Sequence, residues 1–135
     1  MPDTYFVDAW FLIALTDRTD SHHMQAKRLA RALAGATLVT HDAIFFEVLA
    51  YFSTEGAAAR EHAVANVRDA MHSMRVIPSD RALFVRSLDR YAARPDKEYS
   101  LTDCMSMVLM EEHDIRRVLT NDHHFTRAGF TIVTQ

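Results

Sequence analysis

A chain of 135 residues, 49% hydrophobic and 24% charged, is long enough for one hydrophobic core and too short for two ordinary ones. A net charge of −3 and an isoelectric point near 6.2 exclude a passive, strongly basic nucleic-acid binder, but not an enzyme that meets phosphate through bound cations. Three glycines and three prolines leave too few turns for an all-β fold, and the single cysteine, Cys104, excludes an internal disulfide and reads as a reduced, cytoplasmic thiol.

Tyr5-Phe6-Val7 is a short apolar run that predicts a buried strand, with Asp8 at its end. Ala9 to Leu15 predicts a short buried helix. The whole stretch from Tyr5 is eleven residues with an acid inside it, so it is neither a signal peptide nor a membrane span. Ser21 is an expected N-cap for a helix that reaches Gly35 as C-cap. Ala36 to Val39 predicts a second strand, and Thr40-His41-Asp42 opens a helix that stops near Gly56.

Ala57 to Ser73 is an alanine-rich helix, and Arg75-Val76-Ile77 a third strand ended by Pro78. Ser79 is the expected cap of a helix to Ala93 with Leu83, Phe84, Leu88 and Tyr91 on one apolar side. After a loop at Arg94–Glu98, Leu101 to about His113 forms a helix apolar on nearly every side, which predicts burial. Val118-Leu119-Thr120 is a strand, His123 to Gly129 a turn or short helix, and Phe130 to Val133 an edge strand. The alternation predicts one α/β domain over residues 1–135, with a mostly parallel sheet of four or five strands flanked by helices in three layers.

Four acids stand in apolar settings. Asp8 and Asp122 follow strands, and ligands in open α/β sheets bind beyond the carboxyl ends of strands. Glu47 lies inside a helix among Phe45, Phe46, Val48 and Leu49, and Asp103 lies in the first turn of the all-apolar helix. Each has an ordinary alternative. Asp103 can complete a capping box with Ser100, Asp122 can make an Asx turn, and Asp8 can cap its helix. Convergence of all four is the sharper reading. Clustered carboxylates repel unless protonated or bridged by a cation. Hard oxygen ligands suit Mg²⁺ or Mn²⁺, and the chemistry that follows is metal-assisted hydrolysis of a phosphodiester.

Four segments carry a resemblance. They are Phe6-Val7-Asp8-Ala9-Trp10, the run from Thr40 to Leu49, the run from Tyr99 to Ser106, and the run from Leu119 to Phe130. Together they resemble the PIN-domain nucleases, and within these the VapC-type toxins of bacterial toxin–antitoxin pairs. The resemblance implies a parallel sheet between helices, a Mg²⁺- or Mn²⁺-dependent endoribonuclease, a tendency to form homodimers, and a cognate antitoxin. It matches Asp8, Glu47, Asp103 and Asp122 to the catalytic, metal-binding acids. It matches Thr40, Thr102 and Thr120 to hydroxyls that border them. Where the family often has a hydroxyl residue after the first acid, this chain has Ala9 and Trp10.

Arg116, Arg117, Arg127 and His124 are candidate RNA contacts. Eight histidines include the adjacent pairs His22-His23 and His123-His124, whose spacing is wrong for a zinc helix, and they read as solvated loop residues. Met105, Met107 and Met110 read as core. The rival readings are a PIN fold without catalysis that only binds RNA or protein, and a phosphate-signalling receiver domain. The receiver expects an adjacent acid pair after the first strand and a late lysine, and this chain has neither.

Overall fold

The computed structural model describes residues 3–134. At its centre is β1 (Thr4–Val7), where Phe6 and Val7 are fully buried. On one side lie β2 (Thr37–His41) and β3 (Arg75–Ile77); on the other lie β4 (Arg117–Leu119) and β5 (Thr131–Ile132). The order is β3-β2-β1-β4-β5, and every neighbouring pair is parallel. Parallel neighbours need crossover connections, and helices supply all of them. These are α1 (Ala9–Thr16) and α2 (His23–Ala32), α3 (Asp42–Phe52) and α4 (Ala57–Ser73), α5 (Arg81–Ala93) and α6 (Leu101–Glu112), and the single turn α7 (His124–Arg127).

The helices pack in two groups, α1 to α4 against one another and α5 against α6, which gives the expected three-layer α/β/α arrangement with five strands. The chain moves outward from β1 through β2 to β3, then returns to the other side of β1 as β4. The crevice beyond the carboxyl ends of β1 and β4 is therefore the topological switch point.

Helix α6 is buried without a break from Cys104 to Met110, as its apolar surface predicts. Met107 and Met110 join the main core and Met105 the smaller cluster with Leu83, Val108 and Leu109. On the outside, α5 is tied to α6 by a bidentate Arg86–Glu112 pair at 2.6 and 2.9 Å and by an Arg90–Glu111 pair.

Four local expectations fail for identifiable reasons. Ser21 does not cap α2. Asp20 accepts the N–H of His22 at 2.8 Å, and the helix starts at His23. Gly35 is not a left-handed C-cap, since α2 ends at Ala32 with Leu33 as its cap. Ser79 does not cap α5, because Asp80 does so through the N–H of Leu83 at 2.9 Å. The Ser79 hydroxyl instead accepts the N–H of Ala43 at 3.2 Å and meets Nδ1 of His41 at 3.1 Å. Finally, α5 buries Leu83 and Ser87, while Leu88 and Tyr91 face water, 45% and 50% exposed. The face turned to α6 is the one that carries Leu83, which packs with Met105, Val108 and Leu109.

Candidate metal centre

The register of the two central strands pairs Val7 with Leu119, so the next residues, Asp8 and Thr120, emerge side by side at the switch point. The N–H of Asp8 donates to the carbonyl of Leu119 at 3.3 Å. The Thr120 hydroxyl donates to Oδ2 of Asp8 at 2.7 Å and accepts the N–H of Asp122 at 3.1 Å. One hydroxyl thus ties two acids to one sheet edge. Asp8 occupies the N-cap position of α1 but makes no side-chain capping bond. Its carboxylate, 8% exposed, is directed elsewhere.

Burial pushes the Asp8 carboxyl up to about 7, and the charges of Asp103 and Glu47 push in the same direction against the Thr120 hydrogen bond. Glu47, on α3, is half-buried. Desolvation raises it, the Thr102 hydroxyl opposes the rise, and Asp103 and Asp122 add to it. Asp103 is raised by desolvation and then by Asp122. The four acids therefore act electrostatically on one another. Among the described residues, no lysine or arginine forms an ion pair with any of them.

Asp103 takes the capping role open to it and still faces the cluster. The Ser100 hydroxyl accepts its N–H at 3.0 Å, and its Oδ2 accepts the N–H of Ser100 at 3.3 Å, a complete capping box. Oδ2 also meets Nδ1 of His124 at 3.4 Å. Asp122 likewise holds its loop, as Oδ1 accepts the N–H of His124 at 2.9 Å and lies 3.3 Å from Nδ1 of the same ring. Asp103, Asp122 and His124 offer ligand atoms all within 4.8 Å of one another. Capping and turn formation orient these carboxylates and do not use up their remaining oxygen lone pairs.

The donor set fits a hard divalent cation: carboxylate oxygens, mutually destabilised for want of positive charge, at the open end of a rigid sheet. Asp103 and Asp122, with His124, are close enough together to hold it, while among the described residues Asp8 and Glu47 lie outside that compact group and reach the cluster through their charges.

The other expected site residues divide. Thr120 touches the acids directly and Thr102 stands beside Glu47. Thr40 instead donates to the carbonyl of Val7 at 2.9 Å, fixing the end of β1 from which Asp8 emerges. Arg116 and Arg117 are not brought to the cluster. Arg117 begins β4 and Arg116 precedes it, at the opposite end of the strand from the acids. Arg116 pairs with Asp114 at 3.7 Å, and Arg117 pairs with Asp3 at 3.1 Å and lies over the Tyr5 ring at 4.4 Å. Arg127 closes α7 on the surface.

Two histidines are placed differently from the solvated loop residues that their spacing suggests. His124 is half-buried between two acids, and the signal was its place two residues after Asp122, where an Asx turn folds it back. His41 is fully buried, bonded to Ser79 and, at 2.9 Å, to Ser106 of α6. Burial holds its imidazole down at about 4, so it is neutral at ordinary pH.

Comparison with known proteins agrees with this geometry. Residues 5–131 match the family model described as PIN domain. No curated protein matches the chain by sequence. Among solved structures, the chain is similar to VapC20 of Mycobacterium tuberculosis, a sarcin–ricin loop cleaving toxin. The TM-score is 0.85 at 24% identity, covering 97% of this chain and 99% of that one. It is also similar to a chain of the DNA-bound VapBC of Salmonella typhimurium, with a TM-score of 0.66 at 16% identity, covering 98% of each. These two likenesses carry the fold; the family model carries the membership, and the chain belongs to the PIN-domain family.

Proposed function

We propose that the protein is a Mg²⁺- or Mn²⁺-dependent endoribonuclease, and that it is the toxin of a toxin–antitoxin pair. The observation that carries this reading is the set of four carboxylates, Asp8, Glu47, Asp103 and Asp122: the charges of Glu47, Asp103 and Asp122 help to raise Asp8, Glu47 and Asp103, and among the described residues no lysine or arginine is paired to any of the four. Such a set is stable in ionised form only around a cation. When bound, a divalent metal supplies Lewis acidity, activating water as nucleophile and stabilising charge on the leaving 3′-oxygen.

The chain's own residues do the positioning. Thr120 holds Asp8 and the Asp122 loop in one register. The Ser100 N–H, donating to Oδ2, orients the Asp103 carboxylate, and helix α3 presents Glu47 beside Thr102 of α6. The Nδ1–H of His124 faces Oδ2 of Asp103 at 3.4 Å and Oδ1 of Asp122 at 3.3 Å and donates between them, which keeps the two carboxylates close while no metal is bound. Thr102, beside Glu47, favours its ionised form.

The likeness to VapC20 makes RNA carrying the sarcin–ricin loop the first substrate to try, and the likeness to VapBC supports an antitoxin partner. A homodimer is part of the proposal, through the exposed Phe46 of α3 and the exposed Val85 and Leu88 of α5. No helix among the described residues is long and apolar enough to cross a membrane. The test is incubation of purified protein with RNA in Mg²⁺ and in EDTA. The expected result is cleavage in Mg²⁺ alone, leaving 5′-phosphate and 3′-hydroxyl ends; equal cleavage in EDTA, or none in either, refutes it.

A further inference from the structure

A cavity of about 270 Å³ lies next to the carboxylates without including them. Its walls come from the end of α5, the following loop and the start of α6: Tyr91, Arg94, Pro95, Lys97, Tyr99 and Cys104. Tyr99 links it to the acids through His124. The Tyr99 ring meets the His124 ring edge-on at 5.4 Å, and His124 in turn meets Asp103 and Asp122. The cavity is thus separated from the carboxylates by two packed rings.

Its chemistry is the complement of the acidic cluster. Arg94 and Lys97 stand on its rim and share one counter-ion, Asp96, at 3.5 and 3.7 Å. Two cations and one anion leave one positive charge, and exposed pairs at such distances cost little to exchange for another anion. Tyr91 is 50% exposed, an aromatic face left to water at the mouth of a cavity whose floor, Cys104, is fully buried and apolar. A cationic rim, a free aromatic ring and an apolar floor are what a single nucleotide requires: phosphate to the cations, base against the ring. The volume suits one nucleotide and not a base pair, so the base must be unstacked when it enters.

We propose that this cavity is a subsite for one unpaired nucleotide of the RNA, neighbouring the phosphate that is cut. The proposal rests on the nuclease reading above. Tyr91 stacks on the base, and Arg94 and Lys97 hold its phosphate; Tyr99 relays the position of that nucleotide to His124 and so to the acids. The cavity selects for loops and against continuous duplex.

The test is binding of a short, unpaired, fluorescein-labelled oligoribonucleotide, read by anisotropy in EDTA, so that no cleavage is needed. Tyr91→Ala and the double variant Arg94→Ala/Lys97→Ala should each weaken binding about tenfold, while Tyr91→Phe keeps it. Arg116→Ala, an exposed cation just before β4, should bind as the unaltered protein does. Unaltered affinity in Tyr91→Ala overturns the subsite, because loss of general positive charge would spare a neutral ring. An equal loss in Arg116→Ala overturns it too. Mg²⁺-dependent cleavage of the same RNA separates the two claims. Cleavage with no binding loss in the variants sinks the subsite alone, and binding losses with no cleavage by the unaltered protein sink the nuclease reading alone.

Discussion

Asp103→Asn separates the two roles of the carboxylate at the head of α6. The amide keeps the shape of the side chain and an oxygen to accept the Ser100 N–H, so the capping box survives. What is lost is the charge. In the metal-free protein that charge is unfavourable, since desolvation and Asp122 hold the carboxyl above its ordinary range. In EDTA the variant should therefore melt at or above the temperature of the unaltered protein. With Mg²⁺ at a hundred times its Kd, metal binding stabilises the folded state by about 2.7 kcal/mol. For a chain of this size, roughly 4 °C per kcal/mol turns that into a shift of about 10 °C. The variant should lose most of that shift, together with at least about a hundredfold in cleavage rate, since even residues behind a ligand cost ten- to a hundredfold. Differential scanning fluorimetry in EDTA and in Mg²⁺ reads both halves. A full Mg²⁺ shift in Asp103→Asn refutes the metal role, and a drop of several degrees in EDTA shows that the carboxylate is chiefly a cap.

Ser100→Ala tests the other half of the same box: loss of the cap should cost about 1 kcal/mol, or roughly 4 °C, with the Mg²⁺ shift retained. Thr120→Val removes the donor to Asp8 and the acceptor for Asp122 together, and should lower cleavage ten- to a hundredfold at fixed Mg²⁺, regained in part at higher Mg²⁺. His41 binds no proton in the folded protein until about pH 4, against 6.5 when unfolded. Its contribution is therefore complete above pH 6.5 and is lost as pH falls toward 4, by about 3 kcal/mol in all. Asp8, raised to about 7, acts in the opposite sense over an overlapping range, so the His41 effect is read as the difference between the unaltered protein and His41→Gln in urea melts at pH 7 and pH 4.5. An equal pH dependence in both would remove His41 from the account. Met107→Ala, in the middle of α6 and fully buried, should cost about 2–5 kcal/mol by the same melts.

The broad architecture is legible because it depends on signals that tertiary context does not override. Alternating strands and helices with few glycines force a parallel sheet, and an all-apolar helix with one acid at its head must be buried with that acid at an edge. The same logic puts Asp8 and Asp122 at strand ends of one sheet edge, and the β1–β4 pairing of the structure makes those ends adjacent. What is not legible depends on competition between near-equal local partners. Ser79 has the sequence context of a cap, yet His41 and the Ala43 N–H capture its hydroxyl and leave Asp80 to cap α5. Leu88 and Tyr91 have helical spacing with Phe84, but burial of Leu83 against Met105, Val108 and Leu109 of α6 leaves them facing water. Arg116 and Arg117 seem close to the site because Asp122 follows within a few residues. A strand length in fact separates them from it, since Arg116 precedes β4, Arg117 begins it and the acids lie beyond its end. His124 is legible as an acid partner only through its place two residues after Asp122, whose Asx turn folds it back.

The central claim is that Asp8, Glu47, Asp103 and Asp122 share a divalent metal. Crystals soaked in Mn²⁺ and measured for anomalous scattering test it most directly. The account predicts a strong peak among these four carboxylates, lost in crystals of Asp103→Asn. A peak on surface histidines alone, or an unchanged peak in the variant, would contradict it.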